Sequence, residues 1–156
     1  MRSDGPSSTV RYKDLFSFSA PAAGAAEAFD ALQARTLYPA GATLFVEDEL
    51  ASGIFILHAG SVKLAESLTD AKSLGSRIAW PGEILGLPAA LTACPYRAAA
   101  QTLEPSEIGF VDREKFSSFL CEYGVVGFRL VQLLSTALTT ALDQVRVALM
   151  RSSLKI

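Results

Sequence analysis

The period of the apolar residues changes twice along the chain. Over 21–35 (PAAGAAEAFDALQAR) Ala22, Ala25, Ala26, Phe29 and Leu32 recur at steps of three and four, one apolar face of a short packing helix. Pro21 suits its first turn. From 37 to 111 short apolar runs alternate with turn residues. Pro39-Ala40-Gly41 precedes ATLFV, and Ser52-Gly53 precedes IFIL. Ala59-Gly60 separates that run from SVKLA, a polar loop around Thr69-Asp70 leads to SRIAW, and RAAAQTL and EIGFV follow Pro81-Gly82. Short runs with turn signals about every eight to twelve residues predict an antiparallel sandwich or barrel. The alternation within several runs is loose, so spacing carries this reading more than a strict period of two.

From 112 onward the helical period returns. Asp112 is placed as an N-cap, Arg113-Glu114-Lys115-Phe116 opens a short helix, and Gly124 closes it. A long helix is then predicted over about 125–152, with Val131, Leu134, Leu138, Leu142, Val145 and Leu149 recurring at steps of three or four, close to a coiled-coil seam. About 28 residues at 1.5 Å each give roughly 42 Å, longer than a small sheet needs for packing. One reading lays this helix across its own sandwich. The other gives the stripe a partner, most economically the same helix of a second subunit in a homodimer.

Composition narrows the class. A chain of 156 residues, 50% hydrophobic and 19% charged, has the material for one domain with a sizeable core. The net charge of −2 leaves no basic footprint for nucleic acid. The apolar stretch 125–150 is interrupted by Arg129, Gln132, Asp143, Gln144 and Arg146, which argues against a membrane span. The leader MRSDGPSSTVRYKD lacks the apolar core of a signal peptide, so the expected location is the cytoplasm. Two cysteines, Cys94 and Cys121, and the single His58 support neither a disulfide scaffold nor a common metal framework. No GxSxG, P-loop or post-strand GxGxxG is present, so no enzyme is expected.

The order of these elements, with YPAGATLFVEDELASGIFILHAGSVKLAES, resembles the cyclic-nucleotide-binding sensor domain of Crp/Fnr transcription regulators. Pro39 and Gly41, Phe45 and Glu47, Gly53-Ile54-Phe55-Ile56-Leu57 and Gly60-Ser61-Val62-Lys63-Leu64 stand where that family carries its turn and strand motifs. PGEILGLPAALTACPYRAAAQTLEPSEIGFVDREKF is similar to the segment holding its phosphate-binding cassette. Two early positions depart: the usual turn glycine is Asp48, whose side chain tolerates a left-handed backbone, and the usual proline is Leu50. The resemblance implies a mainly β fold with flanking helices, a double-stranded β-helix (jelly roll) followed by a long dimerisation helix. It divides the chain into a flexible leader at 1–14, the β-roll with its flanking helices at 15–124, and the dimerisation helix at 125–156.

The resemblance also implies a ligand site. Gly86 matches the cassette glycine and Arg97-Ala98 the arginine pair that receives the cyclic phosphate, an anion suited to a guanidinium. Position 87, where the family places its ribose-binding glutamate, is Leu87, followed by Pro88; Glu83 is the nearest acid. On the base side the family's Thr-Ser pair falls at Ala141-Leu142, with Thr139 and Thr140 close by. Gly86, Leu87, Arg97, Ala98, Thr139 and Thr140 are therefore the expected ligand residues, and cyclic AMP or cyclic GMP the candidate effectors. For Arg97 the alternative is a surface arginine, solvated or paired with Glu104 or Glu83. Trp80, Leu87, Pro88 and Leu91 either line an apolar pocket or fill the core. His58 is expected at an exposed strand end rather than on a haem. The absence of any cysteine before Cys94 excludes the N-terminal cluster that an iron–sulfur centre needs. Thiol sensing by Cys94 or Cys121 stands beside the alternative of inert buried thiols.

Family members continue from the long helix into a winged helix-turn-helix, and this sequence shows no such segment, so DNA contact is expected only through a domain absent from these residues. The expected function is an effector-sensing, dimerising regulatory domain that binds a small anionic ligand. The alternative is a dimerisation or protein-interaction module with a degenerate site.

Overall fold

A computed structural model of the chain describes residues 10–17, 24–67 and 73–154. A 3-10 turn (Tyr12–Phe16) and helix α1 (Ala25–Leu32) lead into six strands: β1 (Ala34–Tyr38), β2 (Thr43–Phe45), β3 (Gly53–Ala59), β4 (Val62–Ser67), β5 (Ser73–Ala79) and β6 (Ile84–Leu85). Then follow α2 (Leu87–Thr92), β7 (Ala99–Thr102), β8 (Ser106–Asp112), α3 (Arg113–Glu122) and α4 (Gly124–Leu154). The strands form two four-stranded antiparallel sheets, ordered β1-β8-β3-β6 and β2-β7-β4-β5. The jelly-roll expectation holds.

Strand β3 explains why alternation was loose in the sequence. Its Phe55 and Leu57 pack between the sheets with Phe45, Val62, Leu85, Ala100 and Ile108. Its Ile54 and Ile56 point the other way, into a second core with Leu15, Phe29, Phe116, Phe119, Val126 and Leu130 under the helices. A strand covered on both faces reads as a continuous apolar run rather than an alternating one.

Several predicted boundaries move. Residues 21–23 of the predicted first helix lie outside the described residues. The helix starts after Gly24, at φ +81, and stops at Leu32 instead of 35, because Ala34 and Arg35 pair with Phe110 and Gly109 in β1. Strand pairing outweighs the helical propensity of those two residues. Residues 10–14, assigned to the leader, are part of the fold. Val10 is buried, its carbonyl accepts from Ile84 N at 3.0 Å, and Tyr12 N donates to Gly82 O at 2.9 Å. Residues 1–9 of that leader, and the loop around Thr69-Asp70, lie outside the described residues. The predicted start of α3 holds: Asp112 Oδ2 accepts from Glu114 N at 2.9 Å and Lys115 N at 3.2 Å.

Helix α4 is tied to the domain at its start. Val126 and Leu130 are buried, and Arg129 Nε donates to Asp14 O at 3.1 Å. Beyond that it leaves the sandwich. Val131, Leu138, Leu142, Val145 and Leu149 are exposed, with Phe128 at 64%. Leu134 instead packs against the core under the helices. By length and composition Gly124–Ser152 is sufficient to cross a membrane, at a mean hydropathy of 1.5. The 18 residues 125–142 carry one charge, Arg129, and Asp143, Gln144 and Arg146 fall beyond them.

Candidate functional site

A cavity of about 420 Å³ opens between the second sheet, the β6–α2 turn and the underside of α4. That size lies in the range of small-molecule sites. Its floor is Phe45, Leu85, Ala89 and Tyr96; its walls include Leu64, Leu87, Pro88, Val10 and Leu134; Glu66, Ser76, Arg77, Arg97 and Ala98 supply polar atoms and the approach.

Local backbone chemistry sets up the α2 wall. Gly86 is the N-cap of α2 at φ +80, and a Cβ there would come within 2.8 Å of the Tyr96 ring. Glycine is thus required twice, for a left-handed turn and for the ring's close approach. Tyr96 itself is buried and stacks on Phe45 with ring centroids 4.0 Å apart. Its hydroxyl donates to Gly53 O at 2.8 Å and accepts from Gly53 N and Ser52 N at 3.3 and 3.2 Å. Its backbone is bonded on both sides to the turn containing Asp48. Asp48 has φ +73, so the aspartate does adopt the left-handed turn in place of glycine.

Arg97 follows this anchor at once. Neither proposed acidic partner holds it. Glu104 accepts from Ser61 Oγ at 2.6 Å, and Glu83 pairs with Arg77 Nη1 at 2.9 Å through one oxygen and accepts from Trp80 N at 2.9 Å through the other. Glu83 is buried, so both its oxygens serve the structure and it does not replace the missing ribose carboxylate. Arg97 has no ion-pair partner among the described residues. Its guanidinium is therefore available to an anion.

The structure brings Gly86, Leu87, Arg97 and Ala98 to one cavity and leaves out Thr139 and Thr140. Thr139 Oγ1 bonds back to Ser135 O at 3.0 Å, and Thr140 lies on a shallow groove further along α4. The α4 residue that reaches the cavity is Leu134, earlier assigned to the dimer seam. Arg77, Glu66 and Tyr96 were not singled out, and Leu64 entered only as part of a strand motif. Period-two alternation along SVKLAES was a usable signal for Leu64 and Glu66, which share a strand face. Leu87 and Pro88 line the cavity, and Leu91 packs on the core.

Elsewhere, His58 is half-buried instead of exposed. Its Nε2 lies 2.6 Å from Gln33 Oε1, and its ring meets Tyr12 edge-on at 5.5 Å. Burial, then the charge of Arg35, pushes its pKa below 6.5, against the opposing pull of Glu107 and Asp30. Arg35 bridges those two acids, each at 3.1 Å. Cys94 and Cys121 are exposed, contrary to the buried-thiol alternative. Among the described residues no group of His, Cys, Asp and Glu is placed to hold a metal.

The cyclic nucleotide-binding domain model matches residues 35–123, more than half of the chain, and the chain belongs to that family. Its fold is similar to that of the catabolite activator protein of Thermus thermophilus, at 23% identity and a TM-score of 0.77, over 86% of this chain and 62% of that one. It is also similar to the sensor domain of the transcriptional regulator DNR from Pseudomonas aeruginosa, at 20% identity and a TM-score of 0.68, covering 83% and 86% of the two chains. The c-di-GMP responsive global regulator CLP of Xanthomonas campestris matches at 20% identity and a TM-score of 0.64, over 80% and 62%. The chain thus spans less than two thirds of the Thermus and Xanthomonas proteins. No curated protein matches it in sequence.

Proposed function

We propose that the chain is the effector-sensing, dimerising domain of a Crp/Fnr-type transcription regulator, working in the cytoplasm by binding rather than catalysis. The observation that carries this reading is a cavity lined by both Leu134 of α4 and Arg97, which has no ion-pair partner among the described residues. An anion drawn to Arg97 then lies against the helix that leaves the sandwich, and occupancy biases where that helix sits. Among the structurally similar proteins one is described as the sensor domain of a transcriptional regulator and another as a c-di-GMP responsive global regulator, which supports a sensing role.

Dimerisation would use α4. Phe128, Val131, Ser135, Leu138, Leu142, Val145 and Leu149 alternate at steps of three and four over more than two heptads, with the charged residues Asp143 and Arg146 outside the stripe. A seam of this period fits a second copy of the same helix, whereas a lipid environment requires no such stripe.

Calorimetric titration with cyclic AMP and cyclic GMP, on the wild type and Arg97→Ala, tests the sensing role. We expect binding that weakens about tenfold or more in Arg97→Ala, the value of one charged hydrogen bond. The rival, an interaction module with a degenerate site, is favoured by Leu87 at the ribose position and by the Tyr96 ring filling space beside Gly86. Intact dimers that bind no anion would decide for it.

A further inference from the structure

The cavity's own chemistry specifies more than an anion. Of its two guanidinium groups, Arg77 is already neutralised by Glu83, whose second oxygen is closed by Trp80 N. Arg97 is left as one cation. Glu66, on the β4 wall, has no ion-pair partner among the described residues and disfavours a second negative group on the ligand. Between these charges the side-chain lining is hydrocarbon apart from the Ser76 hydroxyl. Leu87, 3% exposed, and Pro88 form the α2 side, and Leu64 and Leu134 form other parts of the wall. None of these four side chains donates or accepts a hydrogen bond. Hydroxyls pressed against them would lose water without replacement, whereas an apolar ring would gain by burial.

We infer that this cavity takes a monoanionic organic ligand with an apolar body, headed by Arg97, and does not read the hydroxyl of a sugar. The inference rests on the sensing role proposed above and narrows its ligand class. A cyclic nucleotide, itself a monoanion, enters as a weak ligand whose 2′-hydroxyl contributes nothing.

The test is equilibrium titration of the full chain with three probes: cyclic AMP, its 2′-deoxy analogue, and naphthoate, a flat apolar monoanion. Each is measured on the wild type, Arg97→Ala and Leu87→Glu. We expect cyclic AMP and the deoxy analogue to bind within about threefold of each other, and naphthoate at least as tightly, each weakening about tenfold in Arg97→Ala. Leu87→Glu should weaken naphthoate and open a preference of about tenfold for cyclic AMP over its deoxy analogue. Should Leu87→Glu fail to fold, the wild-type comparison of the two nucleotides decides alone. A wild-type preference of about tenfold or more for the 2′-hydroxyl, or cyclic AMP binding without naphthoate binding, overturns the ligand class and leaves the sensing role intact. Absence of Arg97-dependent binding by all three probes removes the sensing role and this inference with it.

Discussion

Tyr96 shows how one side chain organises a site without touching its chemistry. Its hydroxyl satisfies Gly53 O, Gly53 N and Ser52 N, and its ring fills the space that Gly86 leaves open. Tyr96→Phe keeps the ring and strands those backbone groups, so it should cost about 1–3 kcal/mol. Urea unfolding with an unchanged slope would show this; a shift below a few tenths of a kcal/mol would mean that water replaces the hydroxyl. His58 makes a prediction of opposite kind. Its folded pKa is held below 6.5, so as pH falls through that value the unfolded chain binds more protons and the folded state loses stability. Facing it are Gln33, Tyr12, Arg35, Glu107 and Asp30, of which the acids soften the effect. Between about pH 7 and pH 5.5 the wild type should lose more thermal stability than His58→Gln. Parallel melting curves for the two proteins would contradict this.

At the scale of elements, α4 divides its labour along one helix. Leu138→Glu, on an exposed position, should convert dimers to monomers in sedimentation without changing the fold of the sandwich. Leu134→Ala should leave the dimer and weaken ligand binding. If Leu134→Ala instead dissociates dimers, the seam runs through Leu134 as its sequence spacing alone proposes. That ambiguity marks what was legible in advance. The heptad step identified the helix, and the N-cap at Asp112 and the glycine-bounded strands were equally plain. The choice between Leu134 and its neighbour Ser135 was not, because residues one step apart differ by a rotation of about 100° that only the docking of Val126 and Leu130 fixes. Strand β6, two residues long, carries no period at all. Of the site, the resemblance pointed to Gly86, Leu87, Arg97 and Ala98. Glu83 was in view as the nearest acid to position 87, but its partner Arg77 and the wall residue Glu66 come from β5 and β4, and sheet register places those two strands side by side. Thr139 and Thr140 lie outside this cavity, and Leu134 lines it, for one geometric reason: helix phase is set by tertiary contact.

For the molecule as a whole, the N-terminal segment and α4 are joined across the cavity. Val10 and Leu134 both line it, and Asp14 O, just after Val10, accepts from Arg129, one turn and a half before Leu134. Arg129→Ala should therefore loosen the coupling between ligand and helix: binding persists, while the protection from amide exchange that ligand confers on the start of α4 diminishes. Unchanged ligand-induced protection would place the coupling in Leu134 alone. A different consequence follows from β3, which contributes Phe55 and Leu57 to one core and Ile54 and Ile56 to the other. Neither core can melt while the other keeps its shared strand in place. The sandwich and its helical flank should therefore unfold in a single cooperative step, with the amides of 54–57 exchanging last and only through global opening.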